Sequence, residues 1–480
     1  MTSARVPPHR VASRGVSSRG VASHRDVSRG VSSRWVASRL GVRLADGPRP
    51  VGAGLSSLVG LAVRRNPRRA HLLVSAVLGK HVPTDPRLVY GSGLLLGELV
   101  RARLRGEEPS RPGPLLPDAL SGVPGAAAGL RDLMRAPRTP VDAIVLGYAE
   151  TATALGHSVA DALGGAYYLH STRRPVPGFA AYGGFEEEHS HATSHLLLPA
   201  DPAMLDRDAP VVLVDDELST GRTVLNTIEA LHAVRPRSHY VLAALVDLRG
   251  AADRARMDDL ARRLGARIDA VALAGGRVEL PDGILEAGQA LTAGLSGGAC
   301  VPDAPAFEVR RAALDWPAGL PDGGRHGFLP EHRVRLEKDL ARMADVIAAG
   351  LGDVSHVLVL GFEELMYAPL RLAEALADAL PSVDVRYSTT TRSPVLAVDD
   401  PGYAIRTRLV FPSHDDPADG PGERYAYNVA PGSGQRGFDQ IVLVVDDVGD
   451  TAALAGGLLA RLRALAPVLV ATVPARRREP

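Results

Sequence analysis

The stretch that most constrains this chain is residues 211–223, Val-Val-Leu-Val-Asp-Asp-Glu-Leu-Ser-Thr-Gly-Arg-Thr. Four apolar residues, an acidic pair, a short polar turn and a Thr-Gly-x-Thr ending describe a buried parallel strand that runs into an anion-cradling loop and then a helix over 224–232. Such a loop has to aim backbone N–H groups at one point. Gly221 carries no Cβ to block a phosphate from them, and the helix behind it adds its positive N-terminal end. Ser219, Thr220 and Thr223 supply hydroxyls. The neighbouring carboxylates of Asp215 and Asp216 fall at the carboxyl end of the strand, where open α/β sheets bind ligands, and suit a sugar offering vicinal hydroxyls beside its phosphate. Ribose 5-phosphate fits that description. An ordinary buried strand with an Asp-rich exit turn would not need both the acid pair and the Thr-Gly-x-Thr at fixed offsets.

The same stretch closely resembles the 5-phosphoribosyl 1-pyrophosphate (PRPP) signature of the type I phosphoribosyltransferases. In that family the acidic pair holds the ribose 2′ and 3′ hydroxyls, which here falls to Asp215 and Asp216. The following loop holds the 5′-phosphate, here Ser219, Thr220, Gly221, Arg222 and Thr223. Arg222 departs from the small residue common at its position, and an outward-pointing side chain reconciles it. The resemblance implies a reaction of PRPP with a nitrogenous base, with Mg²⁺ carried by the substrate near Asp215 and Asp216 rather than ligated directly by protein.

Composition narrows the rest. A chain of 480 residues, 45% of them hydrophobic, has room for two or three domains, and a formal net charge of +1 argues against a whole-protein nucleic-acid or membrane binder. The single cysteine, Cys300, excludes an internal disulfide and a thiolate metal cluster, which makes a reducing cytoplasm the default. The longest apolar candidate for a membrane span, 51–63, is short and broken by Gly and Ser. No secretory signal is evident.

Residues 1–48 repeat a Val-Ala/Ser-Ser-Arg unit and read as a disordered basic arm, with Trp35 its only aromatic residue. From residue 51 the character turns to Gly, Leu and Val. Residues 66–86 combine a short apolar strand with the turn Gly79-Lys80-His81-Val82-Pro83, and a helix starts over 94–100. This order loosely resembles the base-recognition hood of orotate phosphoribosyltransferase, and aligning the turns puts Val77 where that enzyme has a basic residue, which places orotate in doubt. Lys80, one of only two lysines with Lys338, is either a ligand contact, together with His81, or a solvated turn residue. Residues 104–140, rich in Pro, Gly and charge, read as a surface connection.

The core proper begins at Val141, with a strand over 142–146, a tight turn of Gly147, Tyr148, Ala149, Glu150 and Thr151, and an apolar helix over 152–163. The family resemblance gives this turn the pyrophosphate. Glu150 is read two ways, as an acid near the reacting centre or as a first-turn helix residue favoured by the dipole. A strand over 165–170 leads to Arg173 and Arg174, whose forked guanidinium groups match pyrophosphate oxygens in pairs. Residues 178–195, with glycines at hinge-like spacing, correspond to the family's closing loop. There His189 and His191, with His195, offer either a metal pair or pyrophosphate and proton-transfer contacts, and no further ligand at fixed spacing completes a metal site. Strands over 239–248 and 267–273 flank an amphipathic helix over 253–264, residues 275–282 turn back like a hairpin, and 294–305 marks a boundary.

The remainder repeats the first core. Residues 356–365 parallel 144–151, 387–394 parallel 169–175, and the strand 441–447 parallels 211–216. In this second copy the loop reads Gly449-Asp450-Thr451-Ala452-Ala453, so a Cβ replaces the glycine and Asp450 brings negative charge where a phosphate would lie. Arg325 and His326, between glycines before this copy, suggest either a loop presenting charge to a ligand or a tight surface turn. The Thr-Arg-Ser-Pro of residues 391–394 and the Asn-Pro-Arg-Arg, Leu-Gly-Lys-His-x-Pro, Glu-His-Ser-His-Ala-Thr and Gly-Gly-Arg-His-Gly stretches are similar to the phosphoribosyltransferase of bacterial tellurium-resistance gene clusters, an orotate-transferase-like domain followed by a TRSP domain. That resemblance implies a stress-linked, nucleotide-like biosynthetic role among proteins of such a cluster, and it admits a homodimer. The expected architecture is α/β, with two Rossmann-like phosphoribosyltransferase cores, the second degenerate: an arm over 1–48, a transferase domain with its hood over 49–296 and a TRSP domain over 297–480. The rival is a regulator that binds PRPP or a nucleotide without turning it over.

Overall fold

The computed structural model describes residues 1, 31–64, 69–186, 194–295, 306–413 and 422–476. In chain order the strands of the first half are β1 Arg43–Asp46, β2 Val59–Val63, β3 His71–Ser75, β4 Ile144–Gly147, β5 Tyr167–His170, β6 Gly183–Glu186, β7 Ser194–Leu197, β8 Val211–Leu218, β9 His239–Asp247 and β10 Arg267–Glu279. Those of the second half are β11 Val309–Ala312, β12 His356–Gly361, β13 Asp384–Thr389, β14 Arg408–Pro412, β15 Glu423–Tyr427, β16 Gln440–Asp446 and β17 Val468–Val473.

The first sheet has the order β1-β10-β9-β8-β4-β5, parallel except for β1. Val211 to Val214 and Tyr240 to Val246 are fully buried, as unbroken apolar runs in a sheet covered on both faces should be. The second sheet repeats the arrangement as β11-β17-β16-β12-β13, all parallel. The hairpin β14–β15 follows β13 as β6–β7 follows β5. Two Rossmann-like cores are therefore present.

Several sequence expectations need correction. The supposed disordered arm is ordered at its end: Arg34–Leu40 is a helix that buries Trp35, Val36 and Leu40, and β1 pairs along β10; residues 2–30 lie outside the described residues. The segment 104–140 carries helices Leu115–Leu120 and Ala126–Arg135, whose Leu116, Leu130 and Met134 are buried. Its Pro and Gly residues punctuate helices rather than a bare connection. There is no hairpin at 275–282, because β10 runs on to Glu279, parallel to β9 first and then antiparallel to β1. Cys300 and most of the 294–305 boundary lie outside the described residues.

The helix Pro86–Arg105 begins where Asp85 accepts the Arg87 N–H at 2.9 Å and Pro86 fills the first turn, and it ends on left-handed Gly106. It lies buried against helices Ala126–Arg135, Thr153–Leu163 and Tyr367–Ala379, so it belongs to both halves. The sheet edges are exchanged as well. The Lys80 turn adds to β13, with Thr84 and Tyr387 trading backbone hydrogen bonds and Thr389 donating to the Gly79 carbonyl. The Arg325 turn adds to β5, with Phe328 and Tyr168 trading hydrogen bonds and His170 donating to Gly324. Each half thus caps the open edge strand of the other. No helix among the described residues is long and apolar enough to cross a membrane.

Candidate functional site

Parallel register builds the site. Gly147 pairs with Val214 on one side and His170 on the other, so the exits of β4, β5 and β8 emerge together at the carboxyl edge of the sheet. The turn 147–151, the turn 171–175 and the loop after Asp215 and Asp216 are therefore neighbours, as the sequence reading requires. A Cβ at Gly147 would come within 2.5 Å of the Tyr168 hydroxyl and 2.9 Å of the Ala152 carbonyl, so this tight exit demands glycine.

Asp215 turns its Oδ1 onto the Asp216 N–H at 2.9 Å, and both side chains are half-buried at the strand end. Ser219 and Thr220 follow, and Gly221 takes φ +73°, which turns the chain into helix Arg222–Val234. Arg222 is exposed and Thr223 half-buried in its first turn. Sequence reasoning missed Arg249, buried beside this loop: its Cδ lies 3.2 Å from where a Gly221 Cβ would stand, and its guanidinium grips Asp247 at 2.9 Å through two nitrogens. It also missed Glu217, paired at 2.7 Å with Arg69 of the hood, which ties the β2–β3 hairpin to the acidic strand end. Burial pushes the Glu217 carboxyl up, against the pull of Arg69.

In the turn after β4, the Tyr148 N–H donates to the Val214 carbonyl and the Ala149 N–H to Ser171 Oγ at 3.0 Å. Ser171 Oγ also meets His195 Nδ1 at 2.8 Å, so the return strand β7 is fastened to the same turn. Burial pushes the Tyr148 hydroxyl up, with Thr227 opposing and Asp215 adding to the shift. Lys80 reaches this turn: its Nζ donates to Thr151 Oγ1 at 2.6 Å and lies 3.7 Å from Glu150. Glu150 is buried and meets Arg392 of the second half at 3.4 Å, so it is more than a first-turn helix residue.

The remaining expected residues make the following contacts. Arg174 crosses to the second half and pairs with Glu363 at 2.7 Å, over the face of Phe362, so it is a seam residue. Arg173 donates its backbone N–H to Glu364 at 3.4 Å. His81 is buried against Tyr427 of the second half, ring centres 5.6 Å apart, and burial holds its pKa well below the ordinary value. His189 and His191 lie outside the described residues, between β6 and β7, and β6 rests against helix Arg222–Val234. The non-local seam partners carry no signal in sequence spacing.

The corresponding loop of the second half satisfies itself. Asp446 accepts the Gly449 N–H at 2.6 Å, Thr451 Oγ1 accepts the Leu454 N–H at 3.2 Å, and Asp450 is held by Arg311. The N–H groups of Gly449, Thr451 and Leu454 are thus committed within the loop, and the Asp450 carboxylate stands beside them.

Two family models match the chain. Residues 58–277 match a family model described as phosphoribosyl transferase, and residues 322–462 match the TRSP domain that lies C-terminal to it. No curated protein matches the chain. Among solved structures, the adenine phosphoribosyl transferase of Trypanosoma brucei, in complex with AMP, pyrophosphate and ribose-5-phosphate, is 16% identical with a TM-score of 0.22, over 29% of this chain and 60% of that one. The Giardia lamblia enzyme complexed with 9-deazaadenine is 21% identical with a TM-score of 0.22, over 33% and 83%. The Leishmania donovani enzyme is 18% identical with a TM-score of 0.21, over 32% and 67%. The chain therefore spans 60% of the length of the first of these. The acidic strand end falls inside the first family match and the Thr-Arg-Ser-Pro turn inside the second, so the first half carries a phosphoribosyl transferase family domain and the second the TRSP domain that follows it.

Proposed function

We propose that the first half transfers ribose 5-phosphate from PRPP to a nitrogenous base and releases pyrophosphate. The observation that carries this reading is the register that sets Gly147 beside Val214, because it brings a diol-binding acid pair and a glycine-opened turn to one edge. In this reading Asp215 and Asp216 hold the ribose hydroxyls, Ser219 to Thr223 cradle the 5′-phosphate, and the turn 147–151 with Lys80 and Arg173 receives the pyrophosphate. The C1–O bond to pyrophosphate breaks as a ring nitrogen bonds C1. The bonding pair leaves on pyrophosphate, and the nitrogen gives up its proton to solvent. Positive charge grows on the ribose ring in that transition state, and the two carboxylates stabilise it where it forms.

Asp215 and Asp216 are hard oxygen donors at the strand end. That donor set fits Mg²⁺ arriving on the substrate's phosphates, where it supplies charge neutralisation at the leaving group. The resemblance to the tellurium-resistance enzymes supports a stress-linked, nucleotide-like product, and the lone cysteine supports a cytoplasmic setting. A base library presented to the purified protein with PRPP and Mg²⁺ tests the reading: one or more bases should release pyrophosphate. Binding of PRPP with no release for any base would favour the regulator instead.

A further inference from the structure

His157, on the helix Thr153–Leu163, is buried where the two halves meet, and neither of its ring nitrogens has a hydrogen-bond partner among the described residues. Burial first, and then His170 and Arg371, hold its pKa well below the ordinary value. The imidazole is therefore neutral, with one N–H to donate and one nitrogen to accept. Its orientation is fixed by packing: it stacks on Tyr367 with ring centres 3.7 Å apart and planes 5° from parallel, and it meets Phe328 edge-on at 4.7 Å. The hydroxyls around it are engaged elsewhere. Tyr367 donates to Asp161 at 2.7 Å, Tyr168 to the Thr153 carbonyl at 2.5 Å and Thr153 to the Glu150 carbonyl at 3.2 Å. Two unmade hydrogen bonds in a site withdrawn from water cost stability until a partner enters.

The ring borders a cavity between the halves. Thr153, His157 and His170 line it from the first half, and Asp322, Arg325 and Glu364 from the second. It leaves about 10 Å³ for the centre of a water-sized sphere, close to the room one water molecule needs. The wall opposite His157 is polar. Arg325 Nε donates to Glu364 at 3.1 Å while its guanidinium fork carries further N–H groups, and Asp322, whose carboxyl burial pushes up, accepts the Arg476 backbone N–H at 3.4 Å. Gly324 lets this turn close on the ring, because a Cβ there would run into Tyr168 and stand 3.3 Å from His157 Nε2.

We infer that this cavity binds one ordered water molecule, which hydrogen-bonds a ring nitrogen of His157 on one side and the Asp322, Arg325 or Glu364 side chain on the other. The water ties the helix that starts behind turn 147–151 to the Gly-Gly-Arg-His-Gly turn of the second half. The charge presented by that turn is then turned inward, onto a buried solvent site. This site is independent of what binds at Asp215 and Asp216.

A high-resolution crystal structure of the full chain tests it. One ordered solvent peak should lie within hydrogen-bonding distance of a His157 ring nitrogen and of a polar atom of Asp322, Arg325 or Glu364. His157→Phe keeps the stacking on Tyr367 and removes both nitrogens. It should abolish the peak and lower Tm by about 2 °C, since a buried hydrogen bond is lost. A dry cavity predicts the opposite sign, because the same substitution would then delete an unsatisfied polar group and raise Tm. No peak in the wild type, a peak that touches only one half, or a His157→Phe chain that melts at or above the wild-type temperature would overturn the inference. If His157→Phe does not fold, the wild-type map decides alone.

Discussion

The paired carboxylates and the glycine loop lie within nine residues of one another, Asp215 to Thr223, and this is why they were legible in the sequence. A strand exit and its turn are dictated by neighbours in the chain, so spacing alone discloses them. Lys80 and Thr151 are 71 positions apart, and Arg392 and Glu150 are 242 apart, and no periodicity links such residues. The sequence could rank Lys80 only as a ligand contact or a solvated turn residue, and burial decides against solvation, with its side chain 10% exposed. Lys80→Met keeps the apolar stem and removes the charge. It should raise the KM for PRPP by about tenfold, since a hydrogen bond to a charged group is worth roughly 1.5–3 kcal/mol, and steady-state kinetics at saturating base would read it. An unchanged KM would remove Lys80 from the site.

At the scale of elements, the central strands β4, β8, β9, β12 and β16 were readable as short apolar runs bounded by turn residues, whereas the edge strands β1, with Arg43 and Asp46, and β11, with Arg310 and Arg311, offered no such run. What misled was Pro and Gly content. Residues 104–140 resemble a linker in composition, yet Leu116, Leu130 and Met134 supply apolar faces that dock on the helix Pro86–Arg105. The end of the basic arm was misread for the same reason: Trp35, Val36 and Leu40 fall on one helical face inside a low-complexity repeat. The glycine loop depends on a single backbone choice. Gly221→Ala would force a Cβ into the left-handed region and toward Arg249 at 3.2 Å, which should cost about 1–2 kcal/mol of stability. PRPP affinity should fall with it, as read by urea denaturation and by calorimetry on the folded variant. An affinity equal to wild type would show that the N–H groups of this loop do not hold the phosphate.

For the whole molecule, the exchanged edges make one unit of the two halves, and several histidines are buried within it. Burial drives the pKa of His71 and His170 down to about 4 and that of His326 to about 3. Each therefore stays neutral in the folded chain while the unfolded chain takes up a proton below about pH 6.5. Their contribution is complete above that pH and drains away as pH falls toward 4, by roughly 1.4 kcal/mol per unit for each. Thermal melts should accordingly show Tm dropping between pH 7 and 5, and a flat profile would contradict the burial described. The two acidic strand ends differ in the loop that follows them: Asp446 accepts the Gly449 N–H ahead of Ala452 and Ala453, whereas Asp215 accepts the Asp216 N–H ahead of a loop that turns on left-handed Gly221. The most direct measurement is titration of PRPP into the wild type, Asp215→Asn with Asp216→Asn, and Asp446→Asn with Asp447→Asn. The heat of binding should vanish in the first pair and persist in the second; equal heats in wild type and the first pair would contradict the assignment of the site.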